Sequence, residues 1–310
     1  MIFNKPKFWD KKISIMSILF LPISLIVLII IFFKKRITKP KNFNIPIICV
    51  GNIYIGGTGK TPTSILLANE LKKIGRNPTI VRKYYKSHTD EHELIREKFN
   101  NLILSKNRIK GIKKSQESGY DSVILDDGFQ DYSIKKNLNI LCFNKNQLTG
   151  NGLLLPSGPL REGLNSLRRA DVIIINGEKD SKFEEKILKI NKNLEIFYSI
   201  YNPTNLNEFK NKELLAIAGI GNPENFFRLI EENGLKIKEK LIFPDHYKFS
   251  KRDIQKIINI IEKNNYHIIM TEKDYFKAKN FSIKNLNYLR VSLEISNHDK
   301  LFKRIQKIYD

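Results

Sequence analysis

The feature that most constrains the fold is a glycine-rich turn between an apolar run and an amphipathic segment. IPIICV at 45–50 is typical of a strand buried in a parallel sheet, and GGTGKTP follows at 56–62. TPTSILLANELKKIG then continues as an amphipathic helix that ends near Gly75. A strand, a glycine turn and a helix in this order predict an α/β domain with right-handed crossovers.

The glycine turn has the composition of a phosphate-binding loop. Amides at a helix N-terminus and a lysine ammonium group converge on phosphate oxygens, and the residue after the lysine can bind Mg²⁺. The strict pattern G-x-x-x-x-G-K-[ST] requires glycine at position 54, where this chain has tyrosine. A plain turn is the alternative, and the strand-to-helix context disfavours it. The predicted nucleotide-binding loop comprises Tyr54, Ile55, Gly56, Gly57, Thr58, Gly59, Lys60 and Thr61.

Further apolar runs alternate with helix-like segments. PTIVRK, DSVILDD, LNILCFN and ADVIIING occupy residues 78–83, 121–127, 138–144 and 170–177. They predict a doubly wound, mostly parallel sheet. Asp126 and Asp127 end one run, and ligands of such sheets gather at the carboxyl ends of strands. An Asp-Gly turn is the alternative interpretation, but two carboxylates beside a lysine loop favour a Mg²⁺ site.

A second set of α/β elements follows the polar segment YNPTNLNEFKNK at 201–212. ELLAIAGIG and YHIIMTEKD, at 213–221 and 266–274, are strand-like, and PENFFRLIEENGL and KRDIQKIINIIEKNN between them are helix-like. The predicted organisation is an N-terminal anchor helix at 1–36, a P-loop domain at 37–205 and a smaller Rossmann-like α/β domain at 206–310.

The N-terminal anchor is predicted from an uncharged apolar run at residues 13–33. As a helix it would extend about 30 Å, the thickness of the hydrocarbon core of a bilayer, with a kink at Pro22. A cleaved signal peptide is the alternative, but the run ends in Lys34, Lys35 and Arg36 rather than in small residues. We predict a retained helix, spanning or interfacial, with the body of the protein on the cytoplasmic side.

Composition bears on the partner and the compartment. The chain has 54 Lys and Arg against 32 Asp and Glu, a net charge of +22. An acidic partner and a coding bias towards lysine explain this charge equally well. Cys49 and Cys142 form no disulfide framework or metal pattern, which favours a reducing compartment. No helix-turn-helix or RNA-binding signature occurs, so nucleic acid is not a predicted partner.

Five segments occur in an order typical of one enzyme family: GNIYIGGTGKTP, DDGFQ, LLPSGPLREG, AIAGIGNPENFF and MTEKDYFK. Behind an apolar N-terminal helix, this order resembles the tetraacyldisaccharide 4'-kinases, the membrane-associated lipid A kinases of Gram-negative bacteria. The resemblance implies transfer of the ATP γ-phosphate to the 4'-hydroxyl of a tetraacyldisaccharide 1-phosphate, giving lipid IVA, at the cytoplasmic face of the inner membrane. It further implies ATP and Mg²⁺ as cofactors, an active site between two domains, and no obligate protein partner.

The resemblance also assigns roles to individual residues. The family's loop lysine and threonine, and its paired strand-end aspartates, match Lys60, Thr61, Asp126 and Asp127. A P-x-G-P-x-R-E motif that approaches the phosphates matches residues 156–162, which makes Arg161 a nucleotide-binding residue. The implied Mg²⁺ ligands are Thr61, Asp126, Asp127, Glu91 and Glu162.

The implied catalytic residues are Lys60, Asp90 and His246. Asp90 matches the aspartate that assists deprotonation of the attacking hydroxyl, and His246 matches its partner histidine. One segment departs from the family: RKYYK at 82–86 lacks both glycines of R-G-Y-G-G. We expect this departure to affect the acceptor site more than the ATP site.

Two other functions fit parts of the sequence. A membrane-tethered P-loop NTPase could act as a switch on a protein partner, but such loops often carry an early second lysine, where this chain has Ile55. A non-catalytic basic protein that binds nucleic acid or anionic lipid would explain the charge and leave the strand-end aspartates unexplained.

Overall fold

The computed structural model describes residues 6–12, 14–86, 88–245, 247–281, 283 and 285–310. The chain divides into two units. The large unit comprises Lys5–Tyr84, Phe99–Ile200 and Leu293–Asp310, and the small unit comprises Tyr85–Lys98 and Tyr201–Ser292.

The helices and strands of the described residues are numbered in chain order. The helices are α1 (Ile15–Leu19), α2 (Leu21–Ile37), α3 (Lys60–Lys73), α4 (Thr89–Lys98), α5 (Arg108–Glu117), α6 (Ser181–Leu188), α7 (Pro223–Glu232), α8 (Lys251–Asn264), α9 (Glu272–Ala278) and α10 (His298–Gln306). The strands are β1 (Ile47–Gly51), β2 (Pro78–Lys83), β3 (Leu102–Ser105), β4 (Ser122–Asp126), β5 (Leu138–Asn144), β6 (Val172–Asn176), β7 (Glu195–Pro203), β8 (Glu213–Ala218), β9 (Lys236–Ile242), β10 (His267–Met270) and β11 (Val291–Ile295).

The large unit is built on an eight-stranded sheet with the order β11-β7-β6-β5-β1-β4-β2-β3. All neighbouring pairs from β3 to β7 are parallel. β1 and β4 are buried along their whole length, because Ile, Val and Leu fill strands that are covered on both faces. The predicted α/β fold with a mostly parallel sheet is therefore confirmed.

The strand order places the glycine loop at the centre of the sheet. β1 lies between β4 and β5. The next strands along the chain, β2 to β4, lie on one side of β1, and the later strands, β5 to β7, lie on its other side. In the parallel register, Val50 of β1 is opposite Asp126 of β4, and Arg82 of β2 is opposite the same aspartate. The carboxyl ends of these three strands therefore meet beside the loop, the position where doubly wound sheets bind ligands.

The turn after β4 packs closely against the end of β1. A Cβ atom added to Gly51 would lie 2.6 Å from Cβ of Phe129, and Phe129 is fully buried. Only glycine fits at the end of β1, because any side chain there would push away the segment that carries Asp127.

The small unit has a three-stranded parallel sheet with the order β10-β8-β9. β8 is buried apart from its first residue, while β9 alternates between exposed and half-buried residues along KIKEKLI. Helix α8 begins with a capping box formed by Ser250 and Asp253. The small unit thus contains a second α/β set. The sequence analysis missed β9, because Glu239 occupies one of its half-buried positions and interrupts the apolar alternation.

The chain passes into the small unit at Tyr201, within the boundary segment 201–212, but it also crosses between the units at places that we did not predict. α4 lies in the small unit, where Lys98 forms an ion pair of 2.6 Å with Glu272 of α9, although we predicted it within 37–205. The end of the chain returns to the large unit because β11 extends the sheet beside β7. No break in composition marks either crossing in the sequence.

The N-terminal apolar run forms two helices in place of the single kinked helix that we predicted. Ser14 caps α1, Phe20 separates the two helices, and Pro22 lies in the first turn of α2. The break follows from Pro22, which has no N–H group to continue the hydrogen bonding of the preceding turn. Across the described residues, no helix is long and apolar enough to cross a membrane.

Candidate functional site

Two glycines with positive φ shape the loop after β1. Gly56 has φ of +124° and Gly59 has φ of +89°, conformations that other residues rarely adopt. Gly59 is the N-cap residue of α3, so the helix begins at Lys60. Asn52 closes the loop by donating through Nδ2 to the Gly56 carbonyl and to Oγ1 of Thr58, at 3.3 and 2.9 Å. The loop therefore presents the N-terminus of α3, where backbone amides attract anions.

The start of the loop is bonded to the segment at 153–161. Tyr54 is buried in the core and forms a bridge with Leu160. The amide of Ile55 donates to the Pro159 carbonyl at 2.9 Å, and the Arg161 amide donates to the Ile53 carbonyl at 2.7 Å. Tyr54 thus replaces the expected glycine with a core residue, and the nucleotide contacts assigned to Tyr54 and Ile55 stay predictions.

Lys60 of the glycine loop and Arg161 both converge on Asp127. Nζ of Lys60 lies 3.7 Å from Oδ1 of Asp127, and Nη1 of Arg161 donates to both carboxylate oxygens at 2.9 and 3.1 Å. Arg108 donates to the Asp127 carbonyl at 2.6 Å. Asp127 itself has φ of +57°, a left-handed conformation in which aspartate is more readily accommodated than most residues. The Pro-x-Gly-Pro-x-Arg segment and the lysine loop are thereby brought together as predicted, in the large unit.

Burial and charge act in opposite directions on this pair. Burial alone would raise the pKa of Asp127, but Lys60 and Arg161 outweigh it and hold that pKa well below its usual range. Burial lowers the pKa of Lys60, and Asp127 offsets this only in part. An anionic ligand at the loop would add negative charge beside Lys60 and stabilise its ammonium form.

Asp126 is fully buried and joins β4 to the first turn of α3. Its carboxylate accepts hydrogen bonds from Oγ1 of Thr61 and Oγ of Ser64, each at 3.1 Å. Arg82 forms a salt bridge with the same carboxylate and donates to Thr61 Oγ1 at 3.1 Å. We call Lys60, Arg82, Asp126, Asp127 and Arg161 the phosphate cluster. Arg82 and Ser64 were missed by the sequence analysis.

The donor atoms of this region are of the type that Mg²⁺ prefers. Mg²⁺ takes oxygen ligands and usually binds one or two protein groups together with substrate phosphates and water. The hydroxyl of Thr61 and the carboxylate of Asp126 lie side by side and fit this requirement. In the described part of the chain, no group of three or more His, Cys, Asp or Glu residues could hold a metal ion. Thr61 and Asp126 are residues that could hold a metal jointly with phosphates.

Glu162, another predicted metal ligand, is buried against aromatic and basic side chains. It forms an ion pair with Arg169, whose guanidinium lies 4.1 Å from the ring centroid of Phe129. Burial and the Glu162 carboxylate raise the pKa of Tyr132. Glu162 thereby ties the segment at 156–162 to the turn after β4, and its role at a metal stays a prediction.

In the small unit, the predicted base Asp90 lies buried in α4 between two lysines of α9. Nζ of Lys273 and Nζ of Lys277 lie 3.8 and 3.5 Å from Oδ2 of Asp90. Lys277 is also 2.9 Å from Oδ1 of Asp274. We call Asp90, Lys273, Asp274 and Lys277 the Asp90 cluster.

Asp274 holds this cluster to the end of β8. It is fully buried and accepts hydrogen bonds from Thr271 Oγ1 at 2.5 Å and from the Gly219 amide at 2.7 Å. Lys277 donates to the Gly219 carbonyl at 3.2 Å. Lys277 is therefore held by a hydrogen bond to a backbone carbonyl as well as by ion pairs with Asp90 and Asp274.

The remaining predicted residues have different outcomes. Glu91, predicted to bind metal, forms an ion pair of 2.9 Å with Lys273. His246, the predicted partner of Asp90, lies outside the described residues. The lysines of α9 were not predicted, although MTEKDYFK was recognised as a motif.

Comparisons with known proteins agree with one another. The sequence matches the family described as tetraacyldisaccharide-1-P 4'-kinase over residues 15–310. It is 42% identical over 310 residues to a tetraacyldisaccharide 4'-kinase of Pelagibacter ubique, with 98% of each chain covered. It is 34% identical over 321 residues to the Rickettsia akari protein of the same name, with 97% of each covered. A crystal structure of LpxK from Aquifex aeolicus in complex with ATP matches with a TM-score of 0.74 and 26% identity, covering 96% of this chain and 100% of that chain.

Proposed function

Because the chain belongs to the tetraacyldisaccharide-1-phosphate 4'-kinase family, we propose that its glycine loop binds ATP and that Lys60 and Arg161 contact the transferred phosphate. It is an ATP-dependent kinase of lipid A biosynthesis that phosphorylates the 4'-hydroxyl of a tetraacyldisaccharide 1-phosphate. The observation that carries the proposed roles is the convergence of Lys60 and Arg161 on Asp127 beside the N-terminus of α3.

Charge explains why this cluster suits a phosphate. Lys60, Arg82 and Arg161 face the carboxylates of Asp126 and Asp127, which leaves one positive charge in excess. Phosphoryl transfer depends mainly on positioning and on neutralising the charge of the moving group. In the proposed mechanism, the γ-phosphate takes over part of the interaction that Asp127 makes with Lys60 and Arg161. Both cations are already held at one point, so little rearrangement is needed.

The side chains of Thr61 and Asp126 are the proposed holders of Mg²⁺. When bound, the ion supplies further neutralisation of phosphate charge. Arg82 bonds to both of these side chains and keeps their oxygens together when no ligand is present. Asp127, Glu91 and Glu162 contact basic side chains, and their predicted metal roles are retained only as hypotheses.

We propose that Asp90 acts on the acceptor hydroxyl as its proton acceptor, with His246 as the partner of Asp90. The two lysines of α9 support this role, because their ion pairs hold the Asp90 carboxylate in a fixed position. The carboxylate would accept the proton of the 4'-hydroxyl as that oxygen attacks the γ-phosphate.

The apolar helices suit a substrate that lies in a bilayer. Ile15, Leu19 and Ile37 expose 85%, 65% and 74% of their surface, and much of the apolar surface between them is exposed as well. Basic residues follow directly at Lys34, Lys35 and Arg36. Such a segment can insert into lipid while its basic end contacts anionic headgroups. We propose that α1 and α2 hold the kinase on the cytoplasmic face of the inner membrane, where its acylated substrate is available.

A switch NTPase acting on a protein partner is not favoured. The match to the kinase family covers residues 15–310, and the relatives that match nearly the whole chain are named as kinases. Partner-stimulated ATP hydrolysis without lipid phosphorylation would be required to support that alternative.

The decisive experiment supplies purified protein with radiolabelled ATP, Mg²⁺ and tetraacyldisaccharide 1-phosphate. Wild type should transfer label to the lipid, and Lys60→Ala should reduce the rate by about 10³-fold, because a charge that stabilises the transition state is removed. Lys72→Ala is the matched control, since this exposed lysine lies in the last turn of the same helix. Absence of labelled lipid with wild type, or equal losses in the two variants, would refute the proposal.

A further inference from the structure

The N-terminal helices have an inverted distribution of polar and apolar residues. In the described helices α1 and α2, the buried residues are Ser17 and Ser24, while isoleucines, leucines and phenylalanines are exposed. In a helix of a soluble protein, the apolar side chains would face the core. Here the two serines face the protein, so hydrogen bonds hold the helices to it.

Those hydrogen bonds all end on one loop. Oγ of Ser24 donates to the Leu154 carbonyl at 2.9 Å, accepts from the Ser157 amide at 3.1 Å and lies 2.8 Å from Ser157 Oγ. Nδ2 of Asn151 donates to Ser17 Oγ at 3.2 Å. The loop from 151 to 158 is thus fastened to both helices.

Trp9, which precedes α1, forms two further hydrogen bonds with the same loop. Its indole is buried, and Nε1 donates to the Pro156 carbonyl at 3.0 Å. The Trp9 carbonyl accepts from the Asn151 amide at 2.9 Å. Trp9, Ser17 and Ser24 therefore bind the loop near its start, at Asn151, and near its end, at Pro156 and Ser157.

The loop continues directly into the residues that border the phosphate loop. The Leu155 amide donates to the Leu160 carbonyl at 2.9 Å, and the Leu160 amide donates to the Leu153 carbonyl at 3.1 Å. The next residue, Arg161, is bonded through its amide to Ile53 and through its guanidinium to Asp127. Ser24 is thus connected to Arg161 by hydrogen bonds and the short stretches of backbone between them.

We propose that Ser24 and Trp9 are positioning residues for Arg161, so that the membrane-facing helices set the geometry of the phosphate cluster. This inference rests on the proposed contact between Arg161 and the phosphates of ATP. Arg161 can bind a phosphate strongly only if its planar guanidinium is held in the correct orientation. The loop between 151 and 158 fixes its backbone, and the helices fix that loop.

The test is a double-mutant cycle between Ser24 and Arg161, with the affinity for a fluorescent methylanthraniloyl-ATP as the readout. Ser24→Ala should weaken binding by about tenfold, since it leaves buried groups of the loop without a partner. In the Arg161→Ala background the same substitution should have no further effect, because the residue through which Ser24 acts is absent. Ser24→Thr, which retains the hydroxyl, should restore binding.

Two further variants separate positioning from general destabilisation. Trp9→Phe keeps the aromatic ring and loses the hydrogen bond to Pro156, and it should weaken binding in the same direction. Ser118→Ala, at an exposed serine after α5, is the matched control and should bind the nucleotide as wild type does.

The possible failures are distinguishable. If Arg161→Ala binds the nucleotide as tightly as wild type does, the proposed role of Arg161 is refuted. If Arg161→Ala weakens binding, and Ser24→Ala either has no effect or adds its full effect in that background, Ser24 does not act through Arg161 and the inference is overturned. A lower melting temperature without a change in affinity would show that the serine is merely structural.

Discussion

The phosphate cluster and the Asp90 cluster both surround buried carboxylates with basic side chains, but they are assembled differently. In the phosphate cluster, the groups come from the ends of β2 and β4, the start of α3 and the segment at 156–162. In the Asp90 cluster, both lysines and Asp274 come from the single short helix α9.

The two clusters also differ in charge. The phosphate cluster has three basic and two acidic side chains, whereas the Asp90 cluster has two of each. An excess of positive charge attracts an anionic ligand, and a balanced set holds its own carboxylate in place. The difference distinguishes a region that suits an anionic ligand from a region that holds one aspartate in a fixed position.

Asp90→Asn should give the largest effect, a decrease in kcat of about 10³-fold, because it removes the proposed proton acceptor. The affinity for ATP should stay unchanged, since Asp90 is assigned to the acceptor hydroxyl. Steady-state kinetics and equilibrium binding of a fluorescent ATP analogue measure the two quantities. Loss of ATP affinity with kcat unchanged would contradict the proposal that the phosphate cluster binds ATP and that Asp90 acts on the acceptor hydroxyl.

Asp126→Ala should lower the free energy of unfolding by about 3 kcal/mol, because it leaves the buried Arg82 without its counter-charge. Urea unfolding measures this change. In the Asp126→Leu background, Arg82→Met should restore much of the stability, since no buried charge then remains. Asp127→Ala is the matched comparison and should cost less, because Asp127 is partly exposed. Equal costs at the two aspartates would contradict the expectation that the more buried carboxylate contributes more to stability.

Lys277→Met and Lys273→Met form a matched pair within one helix. Lys277 lies between two carboxylates with 8% of its side chain exposed, and its loss should cost about 2 kcal/mol of stability. Lys273 is more exposed, and its loss should cost roughly 0.5 kcal/mol. Unfolding of both variants in urea provides the comparison. A larger cost at Lys273 would show that exposure does not govern the strength of these ion pairs.

The last prediction concerns alkylation of the two cysteines, which are both buried and both lie in the large unit. We expect no reaction in the native protein. Burial raises the pKa of Cys142 to about 12. Only about one in 10⁴ of such thiols is ionised at pH 8, against a substantial fraction of unfolded ones. Burial raises the pKa of Cys49 as well. Iodoacetamide should therefore leave the native protein unmodified at pH 8.

The same cysteines report on the two units separately. Asp126→Ala should accelerate alkylation because it loosens the large unit, whereas Lys277→Met should leave the rate unchanged. Mass spectrometry after timed quenching measures both. Equal acceleration by both variants would indicate that the units open together.

The strands that carry the phosphate cluster could be predicted from the sequence. β2 and β5 have the predicted bounds, and Asp126 ends β4 as expected. These predictions succeeded because a buried parallel strand is a continuous apolar run, and ligand groups follow it at a fixed place.

Contacts that depend on sheet order could not be predicted in this way. Arg82 reaches Asp126 only because β2 lies next to β4, and the apolar pattern does not specify neighbours. A signal existed, since the arginine stands at the carboxyl end of a predicted strand. We had assigned its segment to the acceptor through RKYYK.

The Asp90 cluster was the hardest part to anticipate. Lys273 and Lys277 are one helical turn apart, a spacing that is usual for a solvated face. Their burial results from packing between α4 and α9, which are distant in sequence. The break between α1 and α2, by contrast, had a local cause in Pro22, which we interpreted as a kink.

The crossings of the chain between the two units have a consequence for synthesis on the ribosome. The small unit cannot be completed by α4 alone, because its other elements are made more than a hundred residues later. The large unit in turn requires β11 and α10, the last elements of the chain. Neither unit can fold fully before the segments after residue 200 have been made, so the usual order in which an N-terminal domain folds first is not available. The helices α1 and α2 are made before these segments, so their exposed apolar side chains can aggregate for as long as the rest of the chain is missing.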